Sequence, residues 1–149
     1  MDNKKYHEVL DINFDDEKAL VKCLFINKEG VIFAGLSNNF GIYKSFDNGV
    51  TWENSLNYKE KYKSSDNQFI SKIIEDTSGI LFACSSSSDQ VLVSTNSGFS
   101  WEAYYDRYYK FNDVRGITVD NDGYVYIVLY NMGVYKSAIR SSDFINWNK

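Results

Sequence analysis

The sequence predicts an all-β chain made of three four-stranded antiparallel units, and three observations carry that prediction. Apolar strand-like runs begin nine residues ahead of three glycines, Gly30, Gly79 and Gly123, which lie 49 and 44 residues apart. Each glycine closes a polar turn of the Asx kind and is followed by a second strand rich in β-branched and aromatic residues. An eight-residue stretch, Ser45-Phe46-Asp47-Asn48-Gly49-Val50-Thr51-Trp52, returns as Ser94-Thr95-Asn96-Ser97-Gly98-Phe99-Ser100-Trp101.

The elements follow in order. Residues 1–19 form a charged leading segment, with one alternating piece, Tyr6 to Leu10, readable as a strand, and one helix-friendly stretch, Asp15 to Leu20. The first strand of each unit is Val21 to Ile26, Ile70 to Ile74 and Val114 to Val119. The second strands are Val31 to Ala34, Ile80 to Ala83 and Tyr124 to Ile127, and the third are Gly41 to Ser45, Val91 to Ser94 and Gly133 to Ser137. A fourth strand opens at Trp52, at Trp101 and, after a longer turn without glycine, at Trp147. In the turn before it, Asp47 and Asn48 can bond nearby backbone N–H groups, and Gly49 supplies a left-handed conformation. The units span 20–57, 69–105 and 113–149 and form a single module. Repeats of about 45 residues with four short strands each are the signature of β-propeller blades. Their inner strands are apolar on both sides because stacked neighbours cover both faces.

The repeated turn resembles the Asp box of bacterial-neuraminidase-type (BNR) repeats, Ser-x-Asp-x-Gly-x-Thr-Trp. Ser45, Asp47, Gly49, Thr51 and Trp52 match it throughout; Ser94, Asn96, Gly98, Ser100 and Trp101 match it with Asn and Ser substituted. The resemblance implies a sialidase-like propeller scaffold in which these turns are structural elements of the blade periphery. It also raises the possibility of a glycoside hydrolase, sialidase-like or xyloglucanase-like, with catalytic blades outside this chain, and of a structural module like the propeller-type assembly factors of photosystems. A sialidase-like site would need converging arginines, and only Arg107, Arg115 and Arg140 are present, with Arg115 alone on an innermost strand. No catalytic residue carries over.

Composition narrows the classes further. A chain of 149 residues, 44% hydrophobic and 17% aromatic, suffices for a packed core. The net charge of −4 argues against nucleic acid or an anionic membrane as partner. No apolar run approaches the roughly 20 residues of a spanning helix, and the N-terminus lacks the apolar stretch of a secretory signal. As written, the chain is expected in the cytoplasm, or outside the cell if it is a fragment of a secreted protein. Cys23 and Cys84 read as buried thiols, with a disulfide as the alternative. No metal or cofactor is expected: His7 is the single histidine, and Asp120-Asn121-Asp122-Gly123 lacks the other ligands of a calcium loop and reads as a turn.

Three blades fall short of the roughly four to eight of natural propellers. The sequence therefore predicts a homo-oligomer, the remainder of a longer propeller, or an open wedge, with residues 5–10 completing a terminal blade as an outer strand. The leading functional expectation is a non-catalytic module that binds a glycan or a protein. Lys22, Ser71 and Arg115 occupy the same position near the start of the inner strand, where donors would ring a channel mouth. The loops on that face supply Asn38, Asn39 and Tyr130. A tyrosine-rich edge supplies Tyr104, Tyr105, Tyr108 and Tyr109, whose rings suit sugars and protein interfaces alike.

Overall fold

The computed structural model describes residues 10, 13–14, 17–57, 60–61, 68–86, 90–104 and 113–146. Among them the chain is all-β, with four antiparallel sheets. A short hairpin, β1 (Asn13–Phe14) with β2 (Glu17–Lys18), stands where the sequence offered its helix-friendly stretch. Blade 1 follows in the order β3 (Val21–Ile26), β4 (Ile32–Leu36), β5 (Ile42–Ser45) and β6 (Glu53–Leu56). Blade 2 repeats it with β7 (Phe69–Glu75), β8 (Leu81–Ser86), β9 (Val91–Ser94) and β10 (Glu102–Tyr104). Blade 3 has three described strands, β11 (Val114–Val119), β12 (Tyr124–Leu129) and β13 (Gly133–Arg140), then a 3-10 helix over Ser141–Asn146. The fourth strand expected from Trp147 lies outside the described residues, as does most of the proposed strand 5–10. Without glycine after Ser137 nothing stops β13, which stays paired to β12 as far as Tyr124 and Arg140.

The first hairpin of every blade is closed by the same side-chain device. Asn27 Oδ1 accepts the amides of Glu29 and Val31, Asp76 Oδ1 those of Ser78 and Ile80, and Asp120 Oδ1 those of Asp122 and Tyr124. These are Asx turns, in which a short side chain takes the place of a backbone acceptor. The turn into the fourth strand is more elaborate. Ser45 Oγ donates to Asp47 Oδ1 at 2.8 Å and accepts the Gly49 amide at 2.9 Å. Asp47 then accepts the Thr51 amide at 2.8 Å and the Thr51 hydroxyl at 2.6 Å. These bonds hold the Asp47 carboxyl at about 2, below its ordinary 3.8. The second copy shows why asparagine can replace the aspartate: Asn96 Oδ1 accepts the Ser100 amide, and its Nδ2 donates to the Ser100 hydroxyl.

Register decides which face each side chain takes. In blade 1, one row across the sheet is Cys23, Gly35 and Ile42, and the next is Phe25, Phe33 and Lys44. This face packs on blade 2 through a core that includes Ile73, Leu81, Leu92 and the fully buried Trp101. The other face of blade 2, with Phe82, Cys84 and Val93, meets Ile117, Val125 and Ile127 of blade 3 in a second core. Two close approaches tighten the first junction. A Cβ on Gly35 would lie 2.6 Å from Cys23 Sγ and 2.7 Å from Ile70, and one on Gly98, at φ +75°, would strike the Phe33 ring at 2.5 Å. Ser55 of β6 donates to the Gly98 carbonyl at 2.6 Å and accepts the Trp101 indole N–H at 2.9 Å, tying the outer strand of blade 1 to the turn of blade 2. Trp52, the matching residue of blade 1, donates to Gly49 O in its own turn at 3.1 Å. Both cysteines are free; burial pushes the Cys23 thiol up to about 11, with its Sγ 3.5 Å from the Ile70 carbonyl.

Two outcomes follow for stability. Trp101→Ala empties the centre of the first core and is expected to cost about 3–5 kcal/mol, and Gly35→Ala about 1–3 kcal/mol through overpacking, both read from urea unfolding. Because the Asp47 pKa is depressed in the folded state, its contribution is complete above about pH 4 and is lost as pH falls towards 2. Asp47→Asn, which the second copy shows to fit the turn, is expected to flatten that acid limb, as seen by comparing melting temperatures at either end of this range.

Candidate ligand-binding site

The inner strands share one irregularity at one place. Pairing slips between Val21 and Cys23 in β3, between Ile70 and Lys72 in β7, and between Val114 and Gly116 in β11. The residue skipped is Lys22, Ser71 or Arg115. A β-bulge leaves one residue out of the ladder and re-aims its side chain, so the three positions aligned by sequence are the bulged residues of three neighbouring blades.

Their chemistry differs. Lys22 is exposed and its ammonium lies 5.6 Å from the centre of the Phe69 ring, at the start of blade 2. Arg115 is half exposed and paired with Asp113, whose Oδ2 accepts from Nε at 2.8 Å and from Nη2 at 2.5 Å. Its guanidinium also lies 4.9 Å from the centre of the Tyr130 ring, and the Tyr130 amide donates to the Asp113 carbonyl at 3.1 Å. Arg115, Asp113 and Tyr130 are therefore one cluster, a planar cation held between a carboxylate and an aromatic face. The Ser71 hydroxyl turns instead onto its own sheet, 3.2 Å from both the carbonyl oxygen and the Sγ of Cys84. Two cations, rather than three donors, face outward at this end.

The loop residues also make structural bonds of their own. Asn38 and Asn39 both adopt left-handed backbone conformations, φ 57° and 63°, which asparagine tolerates better than most residues. The Asn39 amide donates to the Gln68 carbonyl at 3.0 Å, and its Oδ1 accepts the Gln68 amide at 2.9 Å. Asn39 thus fastens the loop of blade 1 to the entry of blade 2. Tyr104 is partly buried against the second core, where burial raises its hydroxyl pKa. Tyr105, Tyr108 and Tyr109 lie outside the described residues.

A groove elsewhere was not legible in the sequence. A groove of about 370 Å³ runs along the rim between blades 1 and 2, lined by Ser55, Asn57, Glu60, Lys61, Phe99 and Trp101. Lys61 donates to the Trp101 carbonyl and to Glu102 Oε1 at 3.3 Å. Beside the groove, Phe99 stacks on Phe46 with ring centres 6.3 Å apart. The ammonium of Lys44 lies 3.5 Å from the Phe99 ring centre and 5.1 Å from that of Phe46, and pairs with Glu53 at 3.3 Å. The only trace of this in the sequence is that the unspecified positions of the two turns carry Phe46, Val50 and Phe99, which are apolar though exposed.

Among the described residues no group of three or more His, Cys, Asp or Glu side chains could hold a metal ion, and no helix is long and apolar enough to cross a membrane. No family model matches the chain, and a search of curated proteins finds no match.

Proposed function

We propose that the chain is a non-catalytic Asp-box β-propeller module that binds an acidic glycan at the inner-strand mouth. The observation that carries this reading is the bulge repeated in β3, β7 and β11, which takes Lys22 and Arg115 out of the sheet ladder at the same register. Lys22, exposed beside the Phe69 ring, offers charge, and Arg115, paired with Asp113 and set against the Tyr130 ring, offers hydrogen-bond donors and a stacking face, the combination an acidic sugar needs. The Asp-box assignment is supported by the first turn, where the serine, aspartate and threonine of the pattern make the bonds that close the loop, and by the second, where Ser94, Asn96 and Ser100 make equivalent ones. One further observation favours a protein ligand at a separate place: the exposed Phe46 and Phe99 pair beside the rim groove.

Calorimetric titration with uronic-acid oligosaccharides tests the main reading. Binding is expected to weaken with added salt, and to fall at least tenfold in Lys22→Ala/Arg115→Ala while Phe99→Ala leaves it unchanged. Equal affinity of the double variant, or no binding by the parent, would remove the mouth as a glycan site; loss in Phe99→Ala alone would move the site to the rim.

A further inference from the structure

We infer that a second copy of this chain docks head to tail, its blade 1 seated on the free face of blade 3 as blade 2 is seated on blade 1. This goes beyond the glycan reading and does not depend on it. Eleven large hydrophobic residues are exposed among the described residues, and they fall in three places. Leu20, Val21, Leu24 and Ile26 lie on or beside β3, and Val128, Tyr130, Met132 and Val134 on or beside β12 and β13. The remaining three, Phe46, Val50 and Phe99, belong to the repeated turns.

The two end groups are the outer faces of the stack, and each matches a face that is buried inside it. On the free face of blade 1, Val21, Leu24 and Ile32 occupy the positions of Ile70, Ile73 and Leu81, all of which blade 1 buries. Leu24 is 66% exposed and its counterpart Ile73 3%. Part of this face is already covered, since Leu10, Ala19, Tyr43 and Trp52 pack with Ala34 and Leu36, which are 0% and 1% exposed, but Leu24 and Ile26 stay open.

The free face of blade 3 reproduces the face that blade 1 turns to blade 2. Its rows are Gly116, Val128, Val134 and Thr118, Tyr126, Lys136. The counterparts in blade 1 are Cys23, Gly35, Ile42 and Phe25, Phe33, Lys44. Small or aliphatic residues match small or aliphatic ones in the first rows; in the second, Tyr126 matches Phe33 and a lysine closes both, while Thr118 stands where blade 1 has Phe25. Within the chain, Lys44 is only 2% exposed because the turn of blade 2 lays Phe99 over it at 3.5 Å. Lys136 is 46% exposed, 3.5 Å from Asp120 and 4.0 Å from the Tyr124 ring centre. The residue at the Phe99 position in the first turn is Val50, 79% exposed. Seated on a neighbour's blade 3, blade 1 would bring Val50 to Lys136 as Phe99 is brought to Lys44. The contact would continue two blade junctions already present in the chain. Being head to tail, it closes into a ring of six blades when the rotation is two-fold, a number within the range of natural propellers.

Light scattering on a sizing column, over a wide concentration range, reads the outcome directly. The parent is expected at twice 17.2 kDa at the higher concentrations. Leu24→Glu, which spoils the blade 1 face, and Val134→Glu, which spoils the blade 3 face, are each expected to run as monomers. Mixed, they retain one intact face each and should recover a dimer held by a single junction. Far-UV circular dichroism checks each fold, and Ile26→Lys replaces Leu24→Glu if that variant does not fold. A parent that stays monomeric throughout overturns the inference. So does a dimer that survives either substitution, or variants that fail to complement, which would assign the contact to a face pairing with itself.

Discussion

A four-stranded sheet with apolar side chains on both faces has no stable existence alone in water, and everything else in this chain answers to that constraint. The two central strands of blade 2 satisfy it: β8 and β9 are buried along their whole length, with blade 1 on one side and blade 3 on the other. The junctions are built from more than apolar contact. Ser55 joins a strand of one blade to the turn and indole of the next, and the Phe99 ring closes over the Lys44 ammonium. Such links fix the angle between sheets, which non-directional burial leaves free.

Much of the architecture was legible because the signals that end strands are local. An Asx residue three positions ahead of a glycine needs nothing distant to form its turn, so Asn27, Asp76 and Asp120 marked their hairpins correctly. The fourth strand of the first two blades was equally visible once Ser45 and Ser94 set the period. The strand β13 ran longer than expected because its end depended on residues that were absent, and missing punctuation is a weak signal. The pairing of Glu17 and Lys18 in β2 was hidden for a related reason: helix propensity there amounts to little against a hairpin partner.

The candidate site was legible only in part. Repeat alignment singled out Lys22, Ser71 and Arg115 as equivalent, and the bulge at each gives that equivalence a physical basis. What each side chain does was decided by neighbours far away in sequence. Ser71 meets Cys84 across a strand pair, Lys22 meets Phe69 on the next blade, and Asn39 meets Gln68. Lys44 is the sharpest case. A lysine in an alternating strand reads as solvent-facing, yet its burial depends on Phe99, a residue from another blade, and on Glu53 across the sheet.

The bulges carry a consequence apart from any ligand. β3, β7 and β11 are each the edge strand of their sheet, and a regular edge offers a row of backbone donors and acceptors to any passing strand. A skipped residue near the start of each breaks that row and twists the strand locally. The same three skipped positions, two of which carry outward-facing cations, also make the edges poor templates for added strands. The inner rim is thereby guarded against fibrous growth in a protein whose β-rich sequence contains no proline to do so.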